Sequence, residues 1–183
     1  MYNTLVVLLA LFATAVAFKG LGRKGSRANL SMADFYKIKE KDSKGKDFDF
    51  SAFKGKVVYG VNVASKCGFT ASGYKLLSEA AKLDGVEVAL FPCNQFGGQE
   101  PGTDSEIESF CALKGVEGAK VFTKADVNGP NTRPTYELVK KELKMPLVAW
   151  NFAGKFIVDK TGKVMPVKDE KNLLKQLQRL AEA

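Results

Sequence analysis

Two near-continuous apolar runs dominate the hydrophobic pattern of the chain. Residues 56–64 read KVVYGVNVA and residues 86–91 read VEVALF. Short runs of this kind, rich in β-branched residues, predict strands buried on both faces. Between them Tyr74, Leu77 and Ala81 recur at helical spacing, which predicts a helix over 73–83. Thr103 and Glu106 form a Thr-x-x-Glu capping box, opening a helix that carries Ile107, Phe110 and Cys111. Residues 120–127 predict a further strand. Pro134 suits the first position of a helix whose inner face holds Tyr136, Val139 and Leu143. Segments 156–158 and 163–167 flank Asp159-Lys160-Thr161-Gly162, which reads as a hairpin turn. Leu173, Leu177 and Leu180 line one face of a last helix. Residues 34–54 are mixed and charged, with Phe48, Phe50 and Phe53 spaced to touch a core.

Two buried strands joined through a helix imply a parallel unit, because parallel strands need a crossover. The closing hairpin adds antiparallel strands. The elements therefore predict an α/β protein of thioredoxin-like fold, a three-layer α/β/α sandwich with a mixed central sheet.

The first 31 residues break from this pattern. Residues 5–17, LVVLLALFATAVA, are apolar or small throughout, yet shorter than the ~20 residues a membrane span needs. They end in Ala15-Val16-Ala17, a site suited to signal peptidase, so 1–17 reads as a signal peptide. Phe18 follows, then a basic stretch without acids, so 18–31 has transit-peptide composition. Together they resemble the two-part presequence of algae whose plastids arose secondarily. A plain secretory signal is the alternative, and Met32 is a possible start for a cytosolic form. The folded domain is expected over 32–183.

The leader also inflates the charge. The formal net charge is +8, but Lys19, Arg23, Lys24 and Arg27 all precede the first acidic residue, Asp34. The remainder carries a mild basic excess and no dense basic run interleaved with aromatics, which argues against a nucleic-acid partner. The chain of 183 residues has no histidine, which excludes a Ser-His-Asp triad, a Cys-His pair and a His-ligated metal. Its three cysteines form no Cys-x-x-Cys, so neither a four-thiolate zinc site nor a disulfide framework fits, and no metal or cofactor is expected.

Cys67 falls just past the first buried strand and just before the next helix. Ligands bind at the carboxyl ends of strands in open α/β sheets, and a helix N-terminus favours thiolate over thiol. Cys93 follows the second buried strand and reads as a small core residue. Cys111 lies on a helix inner face, where the residues leave core packing and function equally open. Without histidine, neutral donors must hold a thiolate. Gln95 and Asn94 follow the second strand, and Trp150 with Asn151 sits at the start of a later one. An indole N–H and two amides are suitable donors, although Trp150 also suits a core and Asn151 a turn.

NVASKCGFT (62–70), FPCNQFGGQEPG (91–102), DVNG (126–129) and WNF (150–152) resemble, in order and spacing, motifs of the glutathione peroxidase family. The resemblance covers about 35–167. It implies that Cys67 is the peroxidatic residue and that Gln95, Trp150 and Asn151 complete a catalytic tetrad. Cysteine-type members that use thioredoxin carry a resolving cysteine on the helix after the QEPG segment, which Phe110-Cys111 matches. The implied activity is a thiol peroxidase acting on hydrogen peroxide and organic or lipid hydroperoxides, with access to membrane lipid peroxides. Cys111 would resolve a Cys67 sulfenic acid, and thioredoxin or glutathione would recycle the enzyme. The chain lacks the insertion of tetrameric members, which implies a monomer. Ala119-Lys120, Ala153-Gly154 and the tail after Val164 depart from the family pattern. A peroxide sensor that passes oxidation to a partner protein would share the chemistry; a binding module with inert thiols would not explain the tetrad.

Overall fold

The chain enters through a short antiparallel hairpin, β1 (Lys39–Lys41) and β2 (Asp47–Asp49), and continues into β3 (Val57–Val63), α1 (Thr70–Ala80) and β4 (Val86–Pro92). Then follow α2 (Asp104–Leu113), β5 (Lys120–Val121) and α3 (Pro134–Glu142). β6 (Phe156–Val158), β7 (Val164–Pro166) and α4 (Leu173–Glu182) close it. The structure, a computed structural model, describes residues 34–183. The expected leader over 1–31 lies outside the described residues.

The sheet has the order β5-β4-β3-β6-β7. β3, β4 and β5 run parallel, and β6 runs antiparallel to both of its neighbours, β3 and β7. This is the mixed sheet expected of the thioredoxin-like fold. Strand alternation divides the core in two. Val57, Tyr59, Val61 and Val63 of β3 face a cluster that holds Tyr74 and Leu77 of α1, Ile107 and Cys111 of α2, and Leu173 and Leu177 of α4. Val58, Phe91, Phe156 and Val158 face the other cluster, with Tyr136 and Val139 of α3 and Phe35, Phe50 and Phe53 from the N-terminal segment. Every residue of β3 is buried, as a central strand requires. Gly60 is the exception in size: a Cβ there would lie 2.1 Å from the Phe156 ring across the β3–β6 pair.

The hairpin is tied to α3 by a buried carboxylate. Glu40 accepts from Arg133 Nε at 2.8 Å, from Thr135 N–H at 2.8 Å and from the Thr135 hydroxyl at 2.7 Å. Both charges are buried, so the pairing and the added hydrogen bonds are what make burial tolerable.

Two expected elements shift. The strand over 120–127 contracts to Lys120–Val121: Phe122 and Ala125 N–H still reach Leu90 O (3.0 Å) and Pro92 O (3.1 Å) of β4, but between them Thr123 N–H turns to Lys41 O at 3.0 Å and Lys124 N–H to Asp104 Oδ1 at 2.7 Å, which breaks the ladder. α1 starts at Thr70 rather than Gly73, since Gly73 N–H already bonds Phe69 O at 2.8 Å.

Candidate active site

Three loops meet at the carboxyl end of β3. The first carries Cys67 and is pinned by Thr70, the first residue of α1. Cys67 N–H donates to Thr70 Oγ1 at 3.0 Å, and the Thr70 hydroxyl donates to Ala64 O at 2.7 Å. The Cys67 sulfur accepts from Phe69 N–H at 3.5 Å. Cys67 keeps 8% of its surface open, a narrow access of the kind a small substrate needs.

The second loop carries Trp150 and Asn151 and is held by Asn62, a buried polar residue inside the apolar run of β3. Asn62 Nδ2 donates to Trp150 O at 2.9 Å, its Oδ1 accepts from Gly154 N–H at 2.7 Å, and its backbone O accepts from Phe152 N–H at 2.9 Å. Phe152 adopts φ +62°, a left-handed conformation that costs a non-glycine residue roughly 1 kcal/mol. Burial against Tyr74 (6.0 Å between rings) and against Gly73, where a Cβ would stand 2.6 Å from the ring, holds it there. Trp150 is 41% exposed and packs on Phe96 at 5.7 Å, so it is a rim residue and not a core one. Both residues sit in a turn; the strand expected to begin there starts only at Phe156.

The third loop follows β4, and here the Gln95 amide has partners away from Asn151. Gln95 Oε1 accepts from Val127 N–H at 2.9 Å and Asn128 N–H at 3.0 Å, and Nε2 donates to Asn128 O at 2.9 Å. The amide is consumed in pinning the 126–129 loop. Asn94 is likewise occupied, its Oδ1 accepting from Glu100 N–H at 2.9 Å. Gln99 is the glutamine that contacts Asn151. Its Oε1 accepts from Asn151 Nδ2 at 2.8 Å, and its backbone O accepts from Lys66 N–H, next to Cys67, at 3.0 Å. Gly97 and Gly98, at φ +64° and +63°, reverse the chain between the two glutamines, so the two side chains go to different loops. Cys67's loop, Gln99, Asn151 and Trp150 thus form one connected group. The Asn151 Oδ1 is buried without a partner among the described residues.

All three cysteines are free. Cys111 lies in the same core cluster as Cys67, whereas Cys93 lies in the cluster on the opposite face. Cys111 Sγ is 3.5 Å from the Tyr74 hydroxyl, and burial pushes its thiol up to about 11 despite that contact. Burial also raises the Cys93 thiol. Among the described residues no three His, Cys, Asp or Glu side chains gather into a metal-binding group. A cleft of about 460 Å³ opens beside the group, lined by Phe69, Gly73, Leu76, Trp150, Phe152 and Lys155.

A family model described as glutathione peroxidase matches residues 35–140, more than half of the chain. The chain belongs to the glutathione peroxidase family. It is therefore an oxidoreductase of the peroxidase class. The chain is 48% identical over 139 residues to the glutathione peroxidase-like peroxiredoxin HYR1 of Saccharomyces cerevisiae, covering 73% of this chain and 85% of that protein. It is 45% identical over 153 residues to phospholipid hydroperoxide glutathione peroxidase 1, chloroplastic, of Arabidopsis thaliana, covering 78% of this chain and 64% of that protein. The crystal structure of T. cruzi GPX1 matches with a TM-score of 0.64 at 28% identity, over 82% of this chain and 97% of that one.

Asn62 and Gln99, which tie the loops together, are the residues sequence reasoning passed over. A lone amide inside an otherwise apolar strand was a legible signal for the first. Nothing in the order of residues distinguishes Gln99 from Gln95 without the turn between them.

Proposed function

We propose that this glutathione peroxidase is a two-cysteine thiol peroxidase that reduces hydrogen peroxide and organic hydroperoxides, with Cys67 peroxidatic and Cys111 resolving. The connected group of the Cys67 loop, Gln99, Asn151 and Trp150 at one sheet edge carries this reading. The Cys67 thiolate attacks the terminal oxygen of the hydroperoxide. The O–O bond breaks, the sulfur is oxidised to a sulfenic acid, and water or an alcohol departs with a proton. Gln99, Asn151 and Trp150 are the preorganised donors for the oxygen on which charge develops. Cys111 sulfur then displaces water from the sulfenic acid to form a disulfide. An outside dithiol, thioredoxin in preference to glutathione, reduces it by thiol exchange. The apolar cleft beside Trp150 and Phe69 favours organic hydroperoxides, including those of membrane lipids.

Cys67→Ser is expected to abolish peroxide turnover, and a sulfenic-acid trap to label Cys67 first. First labelling at Cys93 overturns the assignment. Cys111→Ser is expected to spare the reaction with peroxide and block thioredoxin-driven cycling. The enzyme is proposed to act as a monomer, which sedimentation tests. Its leader over 1–31 is proposed to direct it to a plastid, the compartment named for the Arabidopsis relative. A reporter fused to residues 1–31 that is secreted instead contradicts that route.

A further inference from the structure

The Asn62 side chain stands in for missing sheet. β6 pairs with β3 no further than Phe156, opposite Gly60. Continuing that register sets Asn62 opposite Gly154, before β6 begins. There the Asn62 amide replaces the ladder. Its Oδ1 accepts from Gly154 N–H at 2.7 Å, its Nδ2 donates to Trp150 O at 2.9 Å, and its backbone O accepts from Phe152 N–H at 2.9 Å. The side chain is fully buried, and both ends of its amide are paired.

Gly154 is gripped from a second side. The Tyr136 hydroxyl of α3 donates to Gly154 O at 2.8 Å. A Cβ on Gly154 would stand 2.8 Å from the Tyr136 ring and 2.9 Å from Asn62 Oδ1, so the backbone approaches as closely as only glycine allows. Ala153 N–H turns back to Trp150 O at 3.1 Å, which closes the turn on the same carbonyl that Asn62 holds. Ala153-Gly154, a point where the chain departs from the family pattern, thus falls inside an anchored turn.

The site side chains on this turn have fewer holds of their own. Trp150 lies exposed on Phe96, and Asn151 Nδ2 reaches Gln99 Oε1 at 2.8 Å and Phe96 O at 3.4 Å. Asn62 therefore joins two parts of the site. It belongs to the strand that runs into the Cys67 loop, and it holds the turn that carries Trp150 and Asn151.

We propose that Asn62, with the Tyr136 hydroxyl behind it, is a positioning residue for the first reaction with peroxide: its amide fixes the Trp150–Asn151 turn against the strand that leads to Cys67. The inference rests on Trp150 and Asn151 serving that reaction. Donors aimed at developing charge act only while they are held in place, and a displacement of about 1 Å costs on the order of a hundredfold in rate.

The test is stopped-flow oxidation of the full chain by hydrogen peroxide at pH 7. Trp150 is the only tryptophan, so its fluorescence reports on the turn directly. Asn62→Leu is close in size and removes donor and acceptor together. It is expected to slow the first reaction by about ten- to a hundredfold and to raise acrylamide quenching of Trp150. The later decay of the Cys67 sulfenic acid should keep its wild-type rate. A folded Asn62→Leu protein that reacts at the wild-type rate overturns the proposal. Equal slowing of both steps with unchanged quenching also overturns it, because that marks a general loss of structure. If Asn62→Leu does not fold, Tyr136→Phe decides. It removes one grip on Gly154 and keeps the ring, so a smaller slowing with raised quenching is expected, and no change in either overturns the proposal. Asn151→Ala and Trp150→Phe separate the premise from the inference. If neither slows the first reaction, the premise falls; if either does while Asn62→Leu reacts normally, only the role of Asn62 is refuted.

Discussion

Cys111 sits on a formed, capped helix with its sulfur turned into the core, and that position makes the cap a brake on disulfide formation. Thr103 Oγ1 accepts from Glu106 N–H at 3.3 Å, while Glu106 Oε2 accepts from Thr103 N–H at 2.7 Å. Ile107 and Cys111 are buried one turn apart, and Phe110 packs edge-on against Tyr74 at 5.2 Å. If Cys111 reaches a Cys67 sulfenic acid on the β3–α1 loop as proposed, and α2 opens from this packed state to let it, the cap opposes the step. Thr103→Ala removes the cap and destabilises the helix by about 1 kcal/mol. If opening precedes bond formation, the resolution rate rises by about fivefold. The melting temperature falls by about 2–4 °C for a domain of this size. Stopped-flow decay of the Cys67 sulfenic acid reads the first quantity and calorimetry the second. Thr103→Ser keeps the hydroxyl and should restore both. A lowered melting temperature with an unchanged or slower resolution rate would refute the reasoning, because the helix would then stay intact through the step.

Other consequences follow from the site. Gln99→Ala is expected to slow the first reaction with peroxide at least tenfold, whereas Gln95→Ala should spare it and cost about 1 kcal/mol of stability by orphaning Val127 and Asn128 N–H. Peroxide-dependent rapid kinetics and denaturant titration separate the two. Glu100 also sets a pH signature. Its carboxyl is raised in the folded state, so the folded chain holds the proton longer and stability falls as pH rises from the ordinary carboxylate range to the folded value. Denaturation curves across that window should show the slope in the wild type and lose it in Glu100→Gln.

The sheet was legible where burial is complete. β3 and β4 announce themselves because a central parallel strand must be apolar on both faces, and the Asp159–Gly162 turn because Asp159 Oδ1 accepts from Thr161 N–H at 2.9 Å and Lys163 N–H at 3.1 Å. The capping box over Thr103 and Glu106 was equally plain. The β1–β2 hairpin was not, since KEK and DFD carry no apolar alternation; Asp42 makes the turn by accepting from Lys44 and Lys46 N–H, each at 3.0 Å. In the site, motif identity pointed to Cys67, Trp150, Asn151 and Cys111; the structure joins Asn151 to the Cys67 loop through Gln99 and puts Cys111 in the same core cluster as Cys67. It pointed to Gln95, whereas the structure joins Gln99 to Asn151; the two amides, four residues apart, are separated by the chain reversal at Gly97-Gly98. Asn62 was passed over although a lone amide inside an apolar strand signals a polar task; its partners, Trp150 O and Gly154 N–H, lie far along the chain, where spacing does not reach.

Peptide mapping by mass spectrometry after one equivalent of hydroperoxide tests the account most directly. It predicts a Cys67–Cys111 disulfide with Cys93 still a free thiol. A disulfide that includes Cys93, or an oxidised protein in which Cys67 remains reduced, would contradict it.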